Sequence, residues 1–429
     1  MSTKRRDFIQ AALWGSAMAG LPLAACESTI KEQTAEPSKQ EQTDYSAIDA
    51  AAAKPVLLTA GLNSPVIIES LELLHYEGNF LCRVRSKDGA VGYAVANNAQ
   101  MISLYPIFIN RLQSFFIGKD ARELEQLLAE VYVHKSNYKL QNLALWVPLA
   151  TIEFALLDLL GQLSGQSIGQ LIGGVKNPNI AVYQANNYRG KTAAESIEKI
   201  KANVEETQAK AVKFKIGGRM SKNKDYPPQR TEQLIPLVRE TFGKDMAIYA
   251  DSNGSYDAAE AIRVGKILEE YQIDFYEEPT PFDWYEETKA VAEVLSVPIA
   301  GGEQEPSMRN FRWLIGHDAL QIVQPDIFYF GGMIRSMRVA RMAHAVGKTC
   351  VPHISGSGLG YLYMMHFVSA LPNAGPYHEF KGFNTQIPIE CPTADLASKE
   401  GVIEVPTGPG AGVIIDPNFI AKHQIVKAL

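Results

Sequence analysis

Cysteine is scarce in this chain: four in 429 residues, Cys26, Cys82, Cys350 and Cys391. Cys26 lies in an amino-terminal stretch of its own, and the three that remain are no basis for a disulfide framework. Excess charge is scarce too. The 41 basic and 47 acidic residues leave a net charge of −6 and no broad basic field, which excludes nucleic acid as a partner. The body of the chain also reads as lacking an apolar run long enough to span a bilayer. What it does have is a 46% share of hydrophobic residues, enough for a large core and more than one domain.

The first 26 residues differ from the rest. "TKRRDFIQ" sets Arg5 and Arg6 ahead of a modestly apolar stretch, "AALWGSAMAGLPLAAC". That stretch is too short and weak for a transmembrane helix and suits a secretory signal. The arginine pair resembles a twin-arginine export signal. Leu23-Ala24-Ala25-Cys26 resembles a bacterial lipobox, in which Cys26 becomes the lipidated first residue. Residues 27–55 are polar and nearly free of aromatics, the composition of a disordered linker. The expectation is an exported, periplasmic lipoprotein held to a membrane through lipid on Cys26. Cytoplasmic folding before export fits the shortage of disulfides.

Residues 56–175 read as an α+β domain. "PVIIESLELL" and "FLCRVRSKDGAVGYAVA" suggest antiparallel strands with Asp88-Gly89 as a hairpin turn. Helical stretches such as "DARELEQLLAEVYV" and "LALWVPLATIEFALLDLLGQLSG" follow. From 176 to 380, short apolar runs alternate with amphipathic stretches of helical length. The runs are "IAVYQA", "AVKFKIG", "MAIYADSN", "DFYEEP", "IAGGE", "LQIVQPD", "TCVPHIS" and "GPYHEF". Such alternation predicts a parallel sheet, and eight strands predict a closed barrel. Residues 381–429 are expected to return to the first domain.

Polar residues close these runs in phase. Asp251, Glu277, Glu303, Asp326, His353 and Glu379 follow one another at intervals of 23 to 27 residues. One strand-plus-helix unit has about that length, so each lands at the same end of successive strands, where such barrels place catalysis. Helix caps do not explain the pattern, because caps belong in the loop beyond the strand. Asp251, Glu277 and Glu303 would converge from three adjacent strands, and three close carboxylates repel unless a cation offsets them. An all-oxygen set suits a hard divalent ion, Mg²⁺.

The stretch "AVKFKIGG" puts Lys213 and Lys215 on one face of a strand and Val212, Phe214 and Ile216 on the other. Alone, that pattern reads as a solvated edge. In a closed barrel the polar face at the mouth becomes the active-site face. Lys215, beside another cation and partly desolvated, is expected to act as a base, with Lys213 lowering its pKa or touching a substrate carboxylate. His353 is the second acid/base, oriented by Asp326. Glu379 is expected to donate a hydrogen bond to a carboxylate oxygen through a raised pKa. These groups suit removal of the proton beside a carboxylate, through an enediolate stabilised by the metal and the Lys213 ammonium.

Taken together, these motifs resemble the mandelate racemase subgroup of the enolase superfamily over residues 65–425. They are Lys213-Phe214-Lys215, "ADSNG", "YEEP", "GGEQE", "VQPD", "VPHISGSG" and "YHEF". The resemblance implies an α+β capping domain followed by a (β/α)₇β barrel. It implies Lys215 as acid/base beside Lys213, Asp251, Glu277 and Glu303 as metal ligands, Asp326 and His353 as a dyad, and Glu379 as an electrophile. Register decides between Glu277 and Glu278, since adjacent strand residues face opposite ways. A small carboxylate substrate and a homo-oligomer are further expectations of the resemblance.

The expected reaction is dehydration of a sugar acid, an aldonate or aldarate, to a 2-keto-3-deoxy acid. Racemisation or epimerisation of a 2-hydroxy acid, or cycloisomerisation, is the alternative on the same residues. A non-catalytic sugar-acid binding lipoprotein is the alternative of another class, and no base or ligand is lost as it would require. The cap reads "VGYAVANNAQ" where many relatives carry Gly-Glu, and Asn97, Asn98 and Tyr105 are expected to line the specificity pocket. Trp284 and Tyr285 either cover the mouth or pack in their loop. Arg219 is a solvated loop residue or reaches a distal carboxylate of a diacid. His75, His134, His317, His344, His366 and His378 lack metal-ligand spacing and read as structural or surface residues.

Overall fold

The computed structural model describes residues 43–427, apart from 357 and 384. The export signal, Cys26 and most of the linker lie outside the described residues. The end of that linker is ordered rather than disordered. Helix Ser46–Ala52 buries Ile48 and packs on helix Met333–His344. Arg312 donates to both oxygens of Asp49 at 2.6 and 2.8 Å and lies 3.5 Å over the Tyr45 ring. One isoleucine and one tyrosine give no periodic signal, so composition alone reads the segment as linker.

In the first domain, strands β1 (Ile68–Tyr76), β2 (Asn79–Ser86) and β3 (Val91–Val95) form an antiparallel sheet. The chain turns between β2 and β3 at Asp88-Gly89, with Gly89 at φ 86°. Helix Leu143–Ser164 packs behind the sheet. A Cβ on Gly92 of β3 would lie 2.4 Å from the Ala155 carbonyl, so only glycine permits this approach. The helix also corrects one sequence expectation. Its 22 residues and a window of mean hydropathy 1.8 make it long and apolar enough to cross a membrane, but that window is 89% buried inside the protein. Its length serves a core. Two carboxylates sit within it: Asp158 accepts from Tyr93 N and Ala411 N, and Glu153 accepts from Met333 N and Ile334 N, the opening turn of helix Met333–His344.

The barrel strands are β4 (Asn179–Ala185), β5 (Ala211–Lys215), β6 (Ala247–Asp251), β7 (Phe275–Glu277), β8 (Ile299–Gly301), β9 (Ile322–Val323), β10 (Thr349–Cys350) and β11 (His378–Phe380). All pair in parallel in the order β11-β4-β5-β6-β7-β8-β9-β10. A parallel bridge between Cys350 and Ala374, just ahead of β11, brings the two ends of the sheet together. A helix stands between each strand and the next, from Ala193–Thr207 through Leu359–Ala370, which makes the barrel (β/α)₇β. Val402–Glu404 pairs with β4, and Gln424–Ile425 runs antiparallel to β1, so the C-terminal segment joins both domains.

Alternation along β5 sorts the core. Val212, Phe214 and Ile216 pack outward against Ile197, Leu234 and Val238 of the surrounding helices. Ala211 faces inward with Tyr183, Tyr249 and Phe275, an aromatic layer in which Tyr249 and Phe275 stack with centroids 3.8 Å apart. Register then lifts the next inward layer to the mouth, with Lys215 opposite Asp251 and Asp251 opposite Glu277. The apolar plug is the floor on which the charged residues sit.

Candidate active site and metal centre

Asp251, Glu277 and Glu303 are buried, at 0%, 0% and 6% exposure. Each offers an oxygen within 4.8 Å of the others. Lys213 Nζ donates to both Glu277 oxygens at 2.7 and 2.8 Å, Gln324 Nε2 donates to Glu277 Oε2 at 2.8 Å, and Lys215 pairs with Asp251. Burial would raise Asp251, but Lys215 and Lys213 outweigh it and hold the carboxyl below its ordinary range. At Glu277 burial and the neighbouring Asp251 charge prevail over Lys213, and its pKa is pushed up to about 7. Two ammonium groups thus offset only part of the clustered charge. Glu303 Oε2 is buried and accepts no aligned hydrogen bond among the described residues, although His353 Nε2 lies 3.3 Å away. Three convergent carboxylates with one such oxygen fit a hard, oxygen-ligated divalent ion.

Glu278, next to Glu277, does not join this triad among the described residues. It takes a φ of 44°, and its Oε2 accepts from Asn253 Nδ2 at 3.2 Å. Burial, then Glu303, Asp251 and Glu277, raise its pKa well above the ordinary value.

Asp326 is fully buried and heavily hydrogen-bonded. Oδ1 accepts from Phe328 N, Tyr329 N and Ser355 Oγ, and Oδ2 from Ser355 N at 2.7 Å. Its Oδ2 also lies 2.7 Å from His353 Nδ1. A carboxylate at that position fixes the proton on Nδ1, which turns Nε2 toward the cavity. Burial would lower His353, but Glu303, Glu379 and Asp326 prevail and raise it to about 9. From the cap, Asn97 Nδ2 donates to Ser355 Oγ at 3.0 Å, so a chain of hydrogen bonds runs from the cap to the dyad.

Glu379 is placed at the mouth, but as an ion. Its Oε1 lies 2.9 Å from Lys381 Nζ, and Lys213, Lys381 and His353 outweigh burial to hold its pKa well below the ordinary value. The expected raised pKa is therefore corrected: a carboxylate paired with the Lys381 ammonium, with His353 Nε2 3.9 Å away, accepts hydrogen bonds rather than donating them.

All eight residues singled out in the sequence come together at the mouth. Lys381, Gln324, Asn253 and Arg189 were missed. A signal existed for two of them: Lys381 stands two residues past Glu379 and Gln324 two before Asp326, the spacing that put Lys213 and Lys215 on one face. Asn97 and Asn98 line a cavity of about 500 Å³ with Ser355, whereas Tyr105 stacks on Phe80. Tyr285 packs beside Trp313 and bonds Glu305, and Trp284 is exposed. Arg219 lines a cavity of about 440 Å³ together with Lys215, Glu303, His353 and Glu379. His366 and His378 are buried and bonded to backbone carbonyls, and neither joins the carboxylate triad.

Comparison with known proteins agrees with this arrangement. The chain is 27% identical over 346 residues to an arabinonate dehydratase of Saccharolobus solfataricus, covering 80% of this chain and 89% of that one. It is 25% identical over 363 residues to a D-galactarolactone cycloisomerase of Agrobacterium fabrum, covering 80% and 91%. A mandelate racemase/muconate lactonizing protein from Paracoccus denitrificans, solved in complex with magnesium, superposes with a TM-score of 0.77 at 26% identity. That match covers 85% of this chain and 100% of the other. Residues 195–419, more than half of the chain, match the enolase C-terminal domain-like family. The chain belongs to the enolase superfamily, in its mandelate racemase/muconate lactonizing group.

Proposed function

We propose that this protein is a sugar-acid dehydratase, a hydro-lyase acting on an aldonate or aldarate. The observation that carries the reading is that Lys215 and His353 open onto one cavity beside the carboxylate triad. Lys215 takes the proton from the carbon next to the carboxylate, once it has turned from Asp251. His353 Nε2 gives its proton to the β-hydroxyl as that carbon–oxygen bond breaks, so water leaves and the enol product tautomerises to a 2-keto-3-deoxy acid. Lys213 is fixed by Glu277, and its ammonium stands ready to stabilise the charge that develops on the carboxylate oxygens. Asp326 holds the His353 tautomer. Asp251, Glu277 and Glu303 would hold Mg²⁺, which supplies fixed positive charge to the substrate carboxylate when bound.

The same two proton carriers support a second reading, racemisation or epimerisation of a 2-hydroxy acid, or cycloisomerisation. It is favoured if no hydroxyl leaves after proton abstraction. Export as a lipoprotein is also proposed, on the strength of Arg5-Arg6 and Leu23-Ala24-Ala25-Cys26.

Proton NMR in D₂O, with the Mg²⁺-supplemented protein and a panel of sugar acids and simple 2-hydroxy acids, tests the reaction. Loss of the α-proton signal and appearance of a keto acid are expected. Lys215→Ala and His353→Asn should each lower the rate about 10²- to 10⁴-fold, the range of a single general acid or base. Deuterium at the α-carbon without elimination would move the protein to the second reading. Unchanged turnover in both variants would sink the assignment of bases.

A further inference from the structure

The mouth of the barrel is divided by charge. Asp251, Glu277 and Glu303 stand at the ends of β6, β7 and β8. The neighbouring sector, built by β11, β4 and β5, ends instead in cations: Lys381 past β11, Arg189 past β4 and Arg219 past β5. All three line the 440 Å³ cavity that holds Lys215 and His353. Of the four lysine and arginine side chains on that lining, Lys215 pairs with Asp251 and Lys381 with Glu379, which leaves the two arginines. Among the described residues, neither arginine has a carboxylate within 4.0 Å, the limit for an ion pair. Arg189 is braced by the carbonyls of Gly217, Ile216 and Asp251 at 3.2 to 3.3 Å, which fixes its position without neutralising it. Arg219 donates to the neutral Asn253 Oδ1 at 3.3 Å.

We propose that this cationic sector recognises a second carboxylate, so that the substrate is a sugar diacid rather than a monoacid with a neutral end. The inference rests on the dehydratase reading for the fate of the first carboxylate, which faces the triad while the α-carbon lies between Lys215 and His353. The far carboxylate then meets the Arg219 guanidinium, whose planar fork matches two carboxylate oxygens, and the Lys381 ammonium, which has protons beyond the one directed at Glu379. A terminal hydroxyl would leave Arg219 without a carboxylate partner. The inference separates substrates that share the same reacting carbons, because it concerns only the end away from the chemistry.

The test compares kcat/KM for galactarate and glucarate with that for galactonate and gluconate, and with 6-phosphogluconate, in the Mg²⁺-supplemented wild type, R219Q and K381M. Calorimetric binding of the same acids to K215A, whose turnover is cut about 10²- to 10⁴-fold, runs in parallel. Wild type should favour the diacid. R219Q should lose about tenfold or more toward diacids, the size of one hydrogen bond to a charged group, and little toward monoacids. K381M should lose more toward diacids than toward monoacids, since Lys381 also pairs with Glu379. Equal use of diacid and monoacid, or equal loss toward both in the variants, overturns the inference while leaving the dehydratase reading intact. Preference for 6-phosphogluconate overturns the choice of carboxylate as the distal anion. If nothing is turned over but calorimetry retains the diacid preference, the inference stands and the dehydratase reading falls.

Discussion

Lys213 and Lys215 lie two residues apart on one strand and meet different partners. Lys213 is locked to Glu277 by two hydrogen bonds at 1% exposure, a fixed charge rather than a mobile proton carrier. Lys215 has one carboxylate partner and opens onto the cavity. A similar division separates the neighbouring glutamates. Glu277 joins the triad, while Glu278 turns away at a left-handed backbone angle. Glu277→Gln should therefore weaken Mg²⁺ binding about 100-fold or more, and Glu278→Gln less than that, nearer the 10- to 100-fold range of groups that only support a ligand. Titration calorimetry with Mg²⁺ reads both, and a larger loss in the Glu278 variant would reverse the ligand assignment. Residue types and spacing made Asp251, Glu303 and His353 legible in the sequence. The charge state of Glu379 was not legible, because it depends on Lys381 and Lys213 meeting it in space.

At the scale of elements, the strands were legible because each is a short apolar run closed by a polar residue. The helix Leu143–Ser164 was legible as a helix, but not its surroundings: apolar on nearly every face, it reads the same whether lipid or protein covers it. Helix Leu359–Ala370 is similarly buried, and it carries His366. Its Nε2 lies 3.0 Å from the Ala411 carbonyl, while Nδ1 is buried without a partner among the described residues, so a second proton finds no acceptor there. Burial lowers its pKa from 6.5 to about 4. The folded state thus stays neutral while the unfolded chain takes up a proton as pH falls below 6.5. Stability is unaffected by this group above that value and declines toward pH 4, by about 3 kcal/mol at most. His366→Gln should flatten that decline, measured by urea unfolding at several pH values. An equally steep loss in the variant would assign the effect elsewhere, with buried His378 the next group to test.

The whole molecule couples its two domains at more than one place. The last strand pairs with β1, Glu153 reaches helix Met333–His344, and Asn97 reaches Ser355 beside the dyad. The succession of an antiparallel cap and a parallel sheet was readable from the change in rhythm along the chain. The docking of helix Ser46–Ala52 was not, since it rests on the pairing of Asp49 with the distant Arg312. That helix lies only a short chain length from the proposed lipid attachment at Cys26. If export and lipidation occur, Cys26→Ser should release the protein from the membrane fraction and abolish incorporation of labelled palmitate, while the purified variant keeps its activity. Equal membrane recovery of the variant would remove the lipoprotein proposal.

The alternation along β5 has a consequence for how this protein can change over time. One residue inserted or deleted within "AVKFKIGG" would exchange the two faces, turning both lysines toward the helices and Phe214 toward the cavity. Folding and chemistry fail together at such a step, so the strand tolerates substitution far better than a change in length. The segments beyond the strands, where Arg189, Arg219 and Lys381 reside, carry no such constraint. New substrates can be explored there by lengthening, shortening or recharging a loop, while the proton-transfer apparatus passes unaltered from one descendant to the next.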